Sequence, residues 1–588
     1  MKKFISLIAI GLILISSGAF AATSPDEQWR YQRADNLTDH KSIVINDGLM
    51  PLETYSYLWA ENHEANGNFS RYVCTSTSEK NCDKPQQYRY QAIFPFCSDA
   101  ADSDCVEGLS AISSSGKSED AIFQEYSLAK QPNNFKDDPT LGVLHNSNPS
   151  IWNLPSTAHN GGTKYAVVAG VTGVKLTSDP SVDQSIFAYV VPVSIFNKAL
   201  QEIAYCRQAT NADNLSVSAN TRCTGAEFVY QNSQVPRCAI AYGNEGACLV
   251  PEKFPTDYRF NLKLRLSKNP IGWFHGRITS PEIALTTTKT GGATLSVSAN
   301  PVQVPVFVSA GLWKDVGDKT RNWWTNEFVN CRENCGPAGG THADDLRVEV
   351  PTSFIELNQY PYGDFSLNLI KTLASEVGDK AVVAPTIWSF KTLQGSNSAA
   401  ANQCISSGSG LKGIVTTNST TYSQGAPTFN SGELSYKVAS LHMLADGSAF
   451  KGTYDLILRS DVARCLYNFT KAPISATIEV VSESGVNQVA TTTVYEKDGW
   501  LYLSAKNFTF SSPTVKVKLT QGSENSITSP SPTPTPSQSA TPSPASSTQA
   551  TSSKAAAEKK TTITCYKGKT IKKITAVNPK CPIGYKKK

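Results

Sequence analysis

At 588 residues, with 40% hydrophobic residues, 14 cysteines and a formal net charge of +5, the chain is long enough for about three domains of roughly 150 residues each. The charge is unevenly placed: Lys554 to Lys588 hold eleven lysines against Glu558, a balance of +10, which leaves −5 for residues 1–553 and −7 once Lys2 and Lys3 are set aside. Beyond residue 21 no stretch reaches the roughly 18 uninterrupted apolar residues of a membrane helix, the nearest being Ile186 to Phe196 with Pro192 inside it, which argues against a transmembrane anchor.

Residues 1–21 read as a secretory signal peptide: Lys2 and Lys3 precede an apolar run from Ile5 to Ile15, and Ala19-Phe20-Ala21 supplies a small-x-small cleavage site. Export decides how the cysteines are read. They fall in close neighbours at Cys74 and Cys82, Cys97 and Cys105, Cys206 and Cys223, Cys238 and Cys248, Cys331 and Cys335, and Cys565 and Cys581, with Cys404 and Cys465 remaining. In an oxidising compartment this spacing predicts local disulfides, each contributing on the order of 2–4 kcal/mol. The competing zinc reading of Cys331, Cys335 and His342 requires thiolates that export makes short-lived.

In chain order, residues 22–310 form a large β-rich region. Tyr165 to Val171 and Ile186 to Phe196 predict strands, and Tyr258-Arg259-Phe260-Asn261-Leu262-Lys263-Leu264-Arg265-Leu266 alternates apolar and polar residues as a half-buried strand does. Ala293 to Ala299 and Val302 to Val306 repeat the period, with Pro305 marking an edge or bulge. Residues 311–400 read as a small α+β segment. Phe365, Leu369, Ile370 and Leu373 recur near helical spacing between Gly363 and Gly378, flanked by candidate strands at Leu346 to Val350 and Val382 to Phe390. That helix is the one the periodicity supports. Residues 401–522 return to strands at Ala476 to Val481, Val489 to Tyr495, Trp500 to Ser504 and Thr514 to Leu519, with Asp498-Gly499 as a hairpin turn. These strands, with Cys404 and Cys465 as a long-range pair, predict an immunoglobulin-like β-sandwich. The fold class expected for the whole is mainly β and multidomain, with disulfide-stabilised antiparallel sandwich-like domains around the α+β segment.

Residues 523–562 are a Pro/Ser/Thr-rich spacer, with Ser529-Pro530-Ser531-Pro532-Thr533-Pro534 unable to bury a core. Residues 563–588 form a basic module that Cys565 and Cys581 can close. The Asp461 to Tyr467 segment, Val489-Ala490-Thr491-Thr492, Trp500-Leu501 and the tail Thr564-Cys565-Tyr566-Lys567-Gly568-Lys569 to Cys581-Pro582-Ile583-Gly584-Tyr585-Lys586-Lys587-Lys588 resemble exported surface proteins of aquatic actinobacteria. The resemblance covers residues 401–588, and Gly272 to Arg277 more loosely. It implies an envelope location and brings no catalytic residue with it.

A search for chemistry finds little. His63-Glu64 lacks the second histidine of a zinc-protease helix. Ser114-Ser115-Gly116-Lys117 and Lys289-Thr290-Gly291 match two letter patterns of penicillin-binding enzymes, but a Ser/Gly loop offers no helix to present Ser114. Asp99, Asp102, Asp104 and Glu107 crowd one loop without the EF-hand spacing and read as a solvated acidic turn ahead of a calcium site. His275 and Arg277 share one strand face and read as a structural pair. Trp313, Trp323 and Trp324 are the candidate sugar-stacking residues. A glycosidase needs two carboxylates related only in space, which 49 acidic residues neither support nor exclude.

No cofactor and no metal is expected. The function expected is non-enzymatic binding or adhesion by a secreted, envelope-associated protein toward polysaccharide or an anionic cell-wall polymer, with nucleic acid excluded as a partner by export. Lys567, Lys569, Lys572, Lys573, Lys586, Lys587 and Lys588 are the attachment candidates. A polysaccharide hydrolase and a surface-layer component are the alternatives.

Overall fold

The computed structural model describes residues 40–45, 54–196, 240–312, 317–322, 352–356, 363–393, 403–406, 410–521, 561–576 and 586–587, with short breaks inside these ranges. The described chain is mainly β, arranged in several sheets with a few short helices, and it carries disulfides. Contacts divide it into two units, residues 1–526 and 527–588.

The first unit is organised by a 15-stranded sheet. Its main path runs Thr491–Lys497, Trp500–Phe508, Gly452–Arg459, Leu411–Thr417, Gly272–Arg277, Ser389–Thr392, Asp183–Phe196, Lys164–Leu176, Gln87–Ile93, Tyr57–His63, Phe69–Val73. Strands from widely separated parts of the chain are thus hydrogen-bonded neighbours. Gly272–Arg277 lies parallel to Leu411–Thr417 and antiparallel to Ser389–Thr392. Pro192, which has no N–H to give, sits inside the 14-residue Asp183–Phe196 strand, and its carbonyl accepts from the Glu252 amide at 2.8 Å.

Two smaller sheets cover this one. The strand Tyr258–Leu266 has the alternating burial its sequence predicts, and with Cys105–Ser113 and Ala293–Asn300 it makes the centre of a five-stranded sheet. Phe260, Leu262, Leu264, Val297 and Leu109 share a core with Tyr90, Val167, Ala188, Ile414, Ile457 and Tyr502 of the large sheet. A six-stranded sheet containing Glu433–Ala439, Ile474–Val481 and Thr514–Gln521 contributes Tyr436, Val480 and Val517 to a second core with Val415, Leu456, Leu458, Leu501 and Leu503. Residues adjacent in sequence, such as Ile414 and Val415 or Ile457 and Leu458, therefore enter different cores, as successive side chains of a strand must. Gly413 keeps the middle of this region thin: a Cβ there would stand 2.6 Å from the Trp273 ring.

The hairpin signal is realised in full. Lys497 pairs with Trp500, and Asp498 and Gly499 between them take φ of 53° and 78°, the two positive angles of a primed turn. The helix Asp364–Leu373 also forms, continued by a 3-10 turn over Ala374–Val377, and it packs Leu369, Ile370 and Leu373 against Ile45, Phe307 and Leu441.

Other expectations need correcting. The run Val382 to Phe390 holds two short strands, Thr386–Ile387 and Ser389–Thr392, in different sheets. The Val302 strand ends at Gln303, ahead of Pro305. A further helix, Ser460–Tyr467, escaped the periodicity because it is only eight residues long. Its Val462, Ala463 and Leu466 are buried. Cys404 and Cys465 are bonded, but the bond joins this helix to the short helix Gln403–Ser406 and does not tie two sheets, so it is no immunoglobulin-type bridge. Cys74–Cys82 and Cys97–Cys105 are bonded as proximity suggested. The stretch read as a signal peptide, the expected strand at Leu346 to Val350 and residues 523–560 of the expected spacer lie outside the described residues, as do Cys206, Cys223, Cys238, Cys331, Cys335 and Cys581; Thr561 and Thr562, expected in the spacer, open the strand Thr561–Lys567.

Because the Cys404–Cys465 link spans 61 residues, replacing both cysteines by alanine is expected to lower stability by about 4 kcal/mol, the loop-closure value for that length. A shift in the denaturant midpoint of the oxidised chain measures it.

Candidate functional site

The structure places His275 and Arg277 in the interior. All six residues of Gly272–Arg277 are buried. Arg277 donates from Nη1 to the carbonyls of Thr417 at 3.0 Å and Ser419 at 2.7 Å and from Nη2 to that of Thr420 at 3.4 Å, and its guanidinium carbon lies 4.6 Å from the Tyr422 ring centre. The His275 ring stacks on Tyr422 at 3.7 Å and 6°. Burial first, then the Arg277 and Lys391 charges, hold the His275 pKa well below its ordinary value, so the ring is neutral. The cluster fastens the crossover from Leu411–Thr417 to Thr421–Tyr422, which connects the large sheet to the six-stranded one. Its role is structural.

The acidic loop is likewise spent on its own architecture. Asp102 accepts from the Asp99 amide at 2.7 Å and the Ser98 hydroxyl at 3.0 Å, and these bonds lower its pKa. Asp104 accepts from the Ser267 amide at 2.9 Å, and Glu107 lies 2.7 Å from Lys263. Among the described residues no group of three or more His, Cys, Asp or Glu is placed to hold a metal ion. Ser114 and Lys289 stand in hairpin turns between strands, and neither belongs to a helix.

A cleft of about 810 Å³ opens where the ends of Lys164–Leu176 and Asp183–Phe196 meet the loop after Leu266. Val171, Ile186 and Leu266 give it apolar walls, and Arg89, Asp104, Asp183 and Lys268 give it both signs of charge. Arg89, Val174 and Asp183 stand opposite one another across three adjacent strands. Arg89 is drawn toward Glu61, 3.3 Å away and 1% exposed, which also receives Arg71 at 2.8 Å. No spacing in the sequence announces this group, because its members come from four separate segments.

The second unit contains a three-stranded antiparallel sheet, Thr570–Ala576, Thr561–Lys567 and Lys586–Lys587. Cys565 stands opposite Lys572 on one neighbour and Lys587 on the other, Thr564 opposite Lys573, and Tyr566 opposite Lys586. Lys567, Lys572, Lys573, Lys586 and Lys587 are thereby gathered on three adjacent strands, while Lys569 and Lys588 fall outside the described residues. Trp313, Trp323 and Trp324 also lie outside them. Against known protein families, curated proteins and solved structures, the chain finds no match.

The buried neutral His275 has a pH consequence. A histidine whose folded pKa is depressed contributes stability that is fully present above its unfolded value of about 6.5 and is lost as pH falls toward the folded pKa, at up to about 1.4 kcal/mol per pH unit. His275→Phe keeps the ring and cannot titrate. Between pH 7 and pH 5 its unfolding free energy is expected to fall less steeply than the wild type's by that slope, as measured by urea titration at each pH.

Proposed function

We propose that this protein is a secreted, cell-envelope-associated surface protein that binds polysaccharide or cell-wall polymer without catalysis and is attached through its basic C-terminal module. The observation that carries this reading is the three-stranded sheet of residues 561–587, where neighbouring strands at about 4.8 Å bring lysines from three chain segments together. Residues 554–588 balance to +10 beside −7 for residues 22–553. Such a density of cations draws anionic polymers, and many weak contacts to a repeating ligand add by avidity. The Pro/Ser/Thr composition ahead of the basic module is that of a spacer. The leader at residues 1–21 and the resemblance of residues 401–588 to exported surface proteins support the location. In this reading the body is built from sandwich-like layers, mainly antiparallel but with Gly272–Arg277 running parallel to Leu411–Thr417, and its two largest cores lie between sheets.

A second reading, an extracellular polysaccharide hydrolase, is favoured by the cleft that holds Asp104 and Asp183. Soluble sugar released from wall polysaccharide by the wild type and no longer released by Asp183→Asn would put it ahead.

Binding of the secreted chain to isolated anionic cell walls is expected to weaken roughly tenfold or more between 0.05 and 0.5 M NaCl, and to be lost on deletion of residues 554–588. Cosedimentation with the walls measures both. Wall binding that survives the deletion would sink the proposal.

A further inference from the structure

The Thr491–Lys497 strand ends the path of the large sheet among the described residues, and six of its seven residues are exposed. Thr491, Thr493, Tyr495 and Lys497 stand opposite Lys506, Ser504, Tyr502 and Trp500. The Tyr495 ring lies parallel to that of Tyr502, 4.6 Å away and 6° from coplanar. Tyr502 is 6% exposed and belongs to the core, while Tyr495 is 43% exposed. One side of the Tyr495 ring is therefore held flat against the protein and the other is left to water.

The surroundings are polar and ordered. Glu282, half exposed, lies 3.3 Å from Arg259 and 3.5 Å from Lys497. Arg259 is itself fixed by Ser298, donating to its hydroxyl and its carbonyl at 2.7 Å each. The Lys506 ammonium donates to the Ser280 hydroxyl. Burial and the Glu282 charge raise the Tyr495 pKa, which keeps its phenol protonated and able to donate.

We propose that this patch is a glycan-binding site that takes an uncharged pyranose unit of a polysaccharide, with the ring's C–H face on Tyr495 and neighbouring hydroxyls shared between the Glu282 carboxylate and the Lys497 ammonium. The C–H face of a pyranose is apolar and meets the electron-rich face of an aromatic ring. A carboxylate beside an ammonium offers an acceptor and a donor side by side, which a pair of hydroxyls can satisfy and a purely apolar ligand cannot. The inference rests on the reading of the chain as a polymer-binding surface protein, but it locates a contact on the body, independent of the basic module.

Salt separates the two sites, because stacking persists where the lysine contacts are screened. The full mature chain is to be incubated in 0.5 M NaCl with cellulose, chitin and a β-1,3-glucan, and with polygalacturonate as the acidic arm. Retention on at least one neutral polymer is expected, weakened about tenfold by Tyr495→Ala and several-fold by Glu282→Gln, and kept by Tyr495→Trp. Thermal midpoints check that each variant is folded. Absence of retention on every neutral polymer, retention on polygalacturonate alone, or equal retention of Tyr495→Ala and wild type would overturn the proposal. Tyr495-dependent retention on a neutral polymer by a chain that fails to bind anionic walls at low salt would support this site while removing the attachment role of the basic module.

Discussion

Four strands of the large sheet, Gly272–Arg277, Leu411–Thr417, Gly452–Arg459 and Trp500–Phe508, have to be buried on both faces, because one sheet serves two cores at once. The five-stranded sheet closes one face and the six-stranded sheet with the Ser460–Tyr467 helix closes the other. A strand in that position cannot alternate apolar with polar residues as Tyr258–Leu266 does. It must be apolar throughout or satisfy its polar groups internally. Both solutions occur: Leu456-Ile457-Leu458 is continuous, whereas in Gly272–Arg277 the Arg277 guanidinium is met by backbone carbonyls.

Internal satisfaction accounts for several of the charged residues that lie deep in the body. Arg277 is met by three carbonyls of the Thr417 to Thr420 crossover, so a buried cation and an irregular backbone segment solve each other's hydrogen-bonding problem. Asp455, 2% exposed, accepts from Thr279, from the Ser280 amide and from Thr416, and so stitches the start of the five-stranded sheet to the large one. Glu61, at the far end of the large sheet, receives Arg71 and Arg89 from the strands on either side of it. The Arg277 and Asp455 groups stand where strands from distant parts of the chain converge. Losing one partner would leave the others buried without water or counter-charge.

The disulfides Cys74–Cys82 and Cys97–Cys105 each close a loop of eight residues' separation. The two proposed contacts differ in physics: the +10 C-terminal stretch offers accumulated charge, the Tyr495 patch a flat ring beside a carboxylate and an ammonium.

Local chemistry determined what was legible in the sequence. The half-buried strand Tyr258–Leu266, the Asp498-Gly499 turn, the Asp364 helix, the close cysteine pairs and the split charge all depend on residues near one another in the chain, and period, turn angle and loop length are properties of short segments. Sheet membership is not. Nothing within Gly272–Arg277 states that Thr417, 140 residues later, will receive Arg277, or that Arg89 and Asp183 will line one cleft. Tyr495 looks like any strand tyrosine until its cross-strand partner is known to be Tyr502 and its strand to end the path. Those facts come from strand order and layer packing, which the chain settles by burying two cores together, and only the tertiary structure decided them.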